Sequence, residues 1–216
     1  MLPGTYTMTI YKNELAVDSR SVTVTAGNTT AFDTIPITHD PSTAPALWRI
    51  GDWDGTPREF VNGDKLTIMH PSDIRMSSWV TQPYIVGVST PAADFPAYQW
   101  KAVNNPVTIH FTLTPAQIAN YQLRVGITVA MSGGRPMAQV NTWKSPIPAP
   151  PPEPKTRSLT VGSYRGNNVT YVYHVPASAL VVGDNTVTLT VVSGSGGSGY
   201  LSPSCAYDAV DFVPEP

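Results

Sequence analysis

The chain has one cysteine, Cys205, among its 216 residues. An internal disulfide is therefore excluded, and cysteine usage leaves the redox compartment open. Charge is scarce as well: 13% of residues are charged, about half of the ~25% usual in globular proteins. With 13 basic residues against 15 acidic ones, the formal net charge is −2. Such a chain has no basic field to hold a polyanion, which argues against nucleic acid and leaves an acidic polysaccharide only through specific local contacts. No apolar run approaches the ~20 residues of a membrane-spanning helix, so no membrane partner is expected. Met1 opens directly onto "LPGTYTMTIY", without the basic and apolar regions of a signal peptide. The sequence therefore reads as cytosolic or as lacking its beginning.

What is plentiful is turn chemistry, with 16 glycines and 22 prolines, and that predicts many short strands and an all-β fold. In "GTYTMTIY" Tyr6, Met8 and Ile10 alternate with threonines, and in "SVTVTAG" Val22 and Val24 do the same. This is the period of half-buried strands. The two runs, joined by "KNEL", predict a hairpin over residues 1–30. Two strands alone do not make a stable sheet in water, so the hairpin reads as the end of a domain whose front is elsewhere. Residues 31–46, with three prolines and no periodicity, predict a linker. From Leu47 to residue 216 strand-like runs recur: "KLTIMH", "PYIVGVS", "PVTIHFTL", "QLRVGITVAM", "AQVNTW", "RSLTVGSY", "VTYVYHV", "NTVTLTVV" and "AYDAVDFV". Their spacing predicts a β-sandwich or jelly roll. "TPAQIANY" is the helical exception, capped by Thr114 with Pro115 at the first position, for about two turns.

Two low-complexity stretches interrupt the strands. "SPIPAPPPEPK" predicts an extended surface loop, with a ligand for a proline-binding domain as the lesser reading. "SGSGGSG" matches G-x-G-x-x-G through Gly194, Gly196 and Gly199, but "YLSPSC" after it is no helix. A pyrophosphate would find no helix N-terminus there, so the stretch reads as a loop.

With the elements in this order, the chain resembles the C-terminal part of fungal rhamnogalacturonan lyases, polysaccharide lyase family 4. The likeness is carried by "PGTYTMTIYKNELAV", "SVTVTAG", "WRIGDWDGTPREF", "NGDKLTIMHPSDIRMSSW", "YIVGVS", "DFPAYQWK", "GGRP", "YRGNNVTYVYHVP", "GDNTVTLTVVSGS" and "YDAV". The resemblance implies three domains: a catalytic β domain, a small fibronectin-III-like domain, and a jelly roll (galactose-binding-like) similar to carbohydrate-binding modules. Residues 1–30 would be the end of the second and residues 47–216 the third. It further implies β-elimination by a lysine and a histidine of the first domain, a domain this sequence lacks, so no catalytic residue carries over. His39, His70, His110 and His174 share no spacing and no evident lysine partner, and read as ordinary hydrogen-bonded histidines.

"WRIGDWDGTPREF" then opens the jelly roll: Ile50 with Trp48 or Trp53 anchors a strand, Asp54-Gly55 turns, and Arg49, Asp52, Arg58 and Glu59 pair around the turn. No cofactor is expected, although a structural calcium ion, as in related jelly rolls, is an open alternative for Asp52 and Asp54 with Asp208 or Asp211. "DWDG" lacks the remaining ligands of a loop site, and aspartates also close turns. Sugar binding needs flat aromatic faces and planar polar groups. The candidates are Trp79, Trp100 and Trp143 at strand ends or in loops, with Arg135 of "GGRP" and Arg165 of "YRGNN" beside glycines. The plainer role for each is core filling or loop bracing. The partners implied are pectic polysaccharide (rhamnogalacturonan I) and the catalytic domain of the same enzyme. A purely structural brace and an enzyme with an unrecognised site are the alternatives. The resemblance implies a secreted parent, and of two N-glycosylation sequons, Asn168 is expected to be used before Asn28. Removing residues 1–40 is expected to leave the jelly roll's melting temperature nearly unchanged.

Overall fold

The computed structural model describes residues 1–12, 15–38, 40–66, 68–151 and 168–215. Its strands are β1 (Gly4–Lys12), β2 (Leu15–Val24), β3 (Trp48–Gly51), β4 (Tyr84–Ile85), β5 (Tyr98–Trp100), β6 (Val107–Leu113), β7 (Tyr121–Met131), β8 (Arg135–Val140), β9 (Trp143–Lys144), β10 (Val169–Val175), β11 (Gly183–Val192) and β12 (Ser204–Pro214). A single-turn helix, α1 (Pro91–Asp94), lies between β4 and β5. The fold is all-β, a jelly-roll sandwich preceded by a hairpin.

Among the described residues, two five-stranded sheets form the sandwich. One runs β10-β7-β12-β3, with β5 also paired to β12, and the other runs β4-β6-β11-β8-β9. Alternation along β6 buries Val107, Ile109, Phe111 and Leu113, and along β11 it buries Asn185, Val187, Leu189 and Val191. The apolar ones among them meet Leu123, Val125, Ile127, Val210 and Phe212 from the facing sheet in one core. Removing each such side chain from water is worth roughly 1.5–3 kcal/mol. β12 is central and buried on both faces, because the segment after β3 folds over its outer side.

The hairpin docks on that outer side. Leu15 and Val17 of β2 are buried against Trp53 and Ala209, with Ile10 of β1 beside them. The residues whose alternation marks the hairpin, Tyr6, Met8, Val22 and Val24, are only half-buried. The hairpin covers Trp53, which argues against a nearly unchanged melting temperature on deletion of residues 1–40. Lys12 pairs with Asp40 at 2.7 Å and Arg20 donates to the Pro36 carbonyl at 3.0 Å, so both strands also grip the linker.

Several elements differ from the sequence reading. The described residues of "KLTIMH" form turns rather than a strand, with Lys65 N–H on the Asn62 carbonyl and Met69 N–H on that of Lys65. Asn62 organises it from a left-handed backbone conformation (φ 65°), its side-chain oxygen accepting from the Ser77 hydroxyl at 2.6 Å. "PYIVGVS" gives only two strand residues before the chain turns at Gly87, φ 81°. The helix expected over "TPAQIANY" is one 3-10 turn, Pro115–Gln117, with Gln117 Oε1 accepting the Thr114 N–H at 2.8 Å. "RSLTVGSY" lies outside the described residues. "GSGGSG" is followed by a 3-10 turn, Gly199–Leu201.

Candidate carbohydrate-binding site

Four segments meet at one end of the sandwich: the turn between β5 and β6, the β7–β8 hairpin turn, the connection from β11 to β12, and the stretch carrying Trp79. Their contacts are fixed by the backbone. Lys101 N–H donates to the Pro203 carbonyl at 2.9 Å, Ala102 N–H to Ser202 Oγ at 3.1 Å, and Ser193 Oγ to the Ser132 carbonyl at 2.5 Å. At Gly134 a β-carbon would lie 2.4 Å from the Ser204 carbonyl oxygen, so only glycine lets the β7–β8 turn close on β12.

An aromatic cluster stands at this end. Trp100, 1% exposed, packs against Tyr98 at 4.6 Å between ring centroids. Trp79 meets it at 5.0 Å and 68°, and Tyr200 at 4.9 Å and 89°. These edge-on geometries suit the ring quadrupoles. Trp79 is half-buried and spends its indole N–H on the Pro71 carbonyl at 3.2 Å. Tyr200 is 36% exposed.

The structure sorts the candidate sugar contacts accordingly. Trp79, Trp100 and Arg135 come together at this end. Trp100 is corrected from a sugar contact to a core residue, because the strand "YQW" is buried throughout and the ring offers no free face. Arg135 braces loops, donating Nε to the Pro148 carbonyl at 2.6 Å and Nη1 to that of Gly133 at 2.8 Å. Trp143 pairs across from Val140, the far end of β8, about 17 Å from Arg135 at the usual strand rise. Arg165 lies outside the described residues. Tyr200 and Lys101, the latter exposed beside Trp100, were missed. Their signal was an aromatic closing a glycine-rich run and a cation adjoining a tryptophan.

A second cluster forms the joint under the hairpin. Asp211, fully buried, accepts from Arg124 Nε at 2.8 Å and Nη2 at 2.6 Å, from Arg49 Nε at 3.0 Å and from Trp53 Nε1 at 2.9 Å. The same arginines hold the linker: Arg124 Nη2 donates to the Pro41 carbonyl at 2.9 Å, and Arg49 to those of Ser42 at 3.2 Å and Ala44 at 3.0 Å. Arg49 thus pairs with the last strand, which corrects the expected pairing around its own turn. Asp208 Oδ1 accepts the N–H groups of Gly55 at 2.7 Å, Thr56 at 3.1 Å and Asp54 at 3.3 Å. Glu59 Oε1 accepts from Asp52 N–H at 2.6 Å. Burial pushes the Asp208 carboxyl up to about 8 and that of Glu59 up to about 7, with the neighbouring carboxylates adding to it.

Several carboxylate oxygens of this cluster are already committed within the protein. Both Asp211 oxygens face cationic or indole donors, one Asp208 oxygen is turned into backbone amides, and among the described residues no three metal-ligating side chains converge. Of the histidines, His70 contacts Ser72 Oγ at 2.7 Å, His110 contacts Thr186 Oγ1 at 3.2 Å, and His174 contacts Glu215. His39 lies outside the described residues.

Residues 1–32 match the model of polysaccharide lyase family 4, domain II, and residues 46–212 match that of polysaccharide lyase family 4, domain III. Rhamnogalacturonate lyase A of Emericella nidulans is 45% identical over 98% of this chain and 39% of its own length. Rhamnogalacturonate lyase A of Aspergillus aculeatus is 46% identical over 98% of this chain and 40% of its own. The chain spans about two fifths of the length of these relatives. The chain belongs to polysaccharide lyase family 4, corresponding to the C-terminal part of its fungal rhamnogalacturonate lyases.

Proposed function

We propose that the chain is the non-catalytic part of a rhamnogalacturonan endolyase in pectin degradation, with its jelly roll holding pectic polysaccharide close to a catalytic domain supplied upstream. The observation that carries this reading is a chain matched in order by domains II and III of a lyase family, whose sandwich presents an exposed aromatic on a packed tryptophan floor. Rings fixed in this way suit sugar faces at little entropic cost on binding. The chain passed over immobilised rhamnogalacturonan I should be retarded relative to a cellulose column; equal elution from both would refute sugar holding. Incubated alone with rhamnogalacturonan, it should raise the absorbance of unsaturated uronate no faster than buffer. A clear rise would establish an active site within the chain.

The joint favours a second role. Asp211, Arg49 and Arg124 tie the linker to the last strand, and Leu15 and Val17 seal it, so the hairpin is held at a set position on the jelly roll. This reading makes the jelly roll a brace for the catalytic domain. It predicts measurable association with a separately expressed upstream domain, which the binding role does not require. The parent is proposed to be secreted.

A further inference from the structure

The four segments of the sandwich end described above contain no acidic residue of their own; among the described residues, Asp94 reaches them by accepting from Gln82 Nε2 at 3.0 Å. No Asp or Glu occurs in residues 76–82, 98–106, 131–136 or 193–204, although the whole chain carries more acids than bases. The same segments carry Lys101 and Arg135. The guanidinium of Arg135 is spent on carbonyls, whereas the exposed Lys101 is in no ion pair among the described residues. Its backbone is bonded to Pro203, three residues from Tyr200, so the cation and the exposed phenol share one surface. The nearest acid along the Trp79 segment, Asp73, is already held by Arg75 through two bonds of 2.9 and 2.7 Å.

We propose that this end binds the uronate units of an acidic oligosaccharide, with Tyr200 and the open part of Trp79 stacking on pyranose rings and Lys101 taking the carboxylate. The proposal rests on the polysaccharide-holding role and adds its place and its ligand charge. A chain with a formal charge of −2 repels a polyuronate on average, so attraction has to be local. Segments that carry no carboxylate of their own, with an ammonium in no ion pair among the described residues, provide that locality. Trp100 serves as the floor: it fixes both outer rings edge-on, so they are preorganised before the ligand arrives.

Calorimetric titration of the full chain tests this with three probes: an oligosaccharide of alternating rhamnose and galacturonic acid, its methyl-esterified form, and neutral galactotriose. The acidic probe should bind best, and esterification should weaken it as much as Lys101→Gln does, about threefold or more. Tyr200→Ala should weaken all binding about tenfold, while Tyr200→Phe, which keeps the ring, should stay within about threefold of the unsubstituted chain. Melting temperatures of the variants within about 2 °C of the parent's would show that the losses are not unfolding. Binding that survives both Lys101→Gln and Tyr200→Ala undiminished would overturn this location and leave the polysaccharide role standing. Absence of heat with every probe at millimolar concentration would overturn both.

Discussion

Asp211 shows how one residue can hold two parts of a chain. Its carboxylate has left water entirely, and its attraction to two guanidinium groups offsets the desolvation only while all partners stay in place. Asp211→Asn keeps the shape and removes the charge, stranding Arg124 and Arg49. We expect a loss on the order of 3 kcal/mol, seen in calorimetry as a fall of roughly 6–12 °C for a chain of this size; a fall below about 2 °C would mean the cluster contributes little. The neighbouring carboxyls act in the opposite sense. Asp208 and Glu59 have folded values near 8 and 7, against roughly 3.9 and 4.3 in unfolded chains. Between those limits the folded state holds more protons than the unfolded one. Stability is therefore greatest below the unfolded values and falls as pH rises through 7 to 8. The urea midpoint should drop from about pH 5 to about pH 8.5, and Asp208→Asn should flatten most of that slope. None of this was legible from residue types, because Arg49 meets a partner 162 positions away and local turn pairing was the only reading available.

Among the elements, the long strands were legible and the short ones were not. β6, β7, β10, β11 and β12 announce themselves through alternation or continuous burial, and each pairs over at least six residues. β5 and α1 carry three and four residues, too few for a period to register, and the "KLTIMH" segment has a strand-like composition that the Asn62 side-chain bonds override. The hairpin was legible as a pair but not in its docking. Alternation identifies which face of β1 and β2 is half-buried, yet only the position of Trp53 selects Leu15 and Val17 for burial. Deleting residues 1–40 bares Trp53, now 3% exposed, and removes two buried aliphatic side chains with the Lys12–Asp40 pair. At roughly 1.5–3 kcal/mol for each fully buried side chain, we expect the jelly roll to melt more than 5 °C lower, to about 10 °C lower. An unchanged melting temperature would show that the hairpin rests on the sandwich without stabilising it.

At the scale of the whole molecule, β12 connects the aromatic end of the sandwich with the joint under the hairpin. Its first residues support the aromatic end, where Ser204 pairs with Trp100, and its later residues carry Asp208 and Asp211 at the joint. Under the proposed function, a sugar held at one end would be linked through a single central strand to the hairpin joint. Fold class and family were legible because repeated strands and long motifs span the sequence. The proposed binding end was only partly legible, since its members come from four separated segments and, of the tryptophan candidates, Trp100 is consumed by the packing. The same whole-chain packing decides which sequon can be modified. Asn28 lies exposed in the turn after β2, its N–H on the Thr25 carbonyl at 3.3 Å. Asn168 is half-buried, with its side-chain oxygen out of contact with solvent, and on that difference in exposure we propose Asn28, rather than Asn168, as the sequon used first. A transferred glycan needs the carboxamide accessible on the surface of a secreted protein. When the chain is secreted from a glycosylating host, Asn28→Gln should abolish the mass shift released by an N-glycosidase and Asn168→Gln should leave it. The opposite pattern would mean that the Asn168 side chain is modified before the sandwich closes over it.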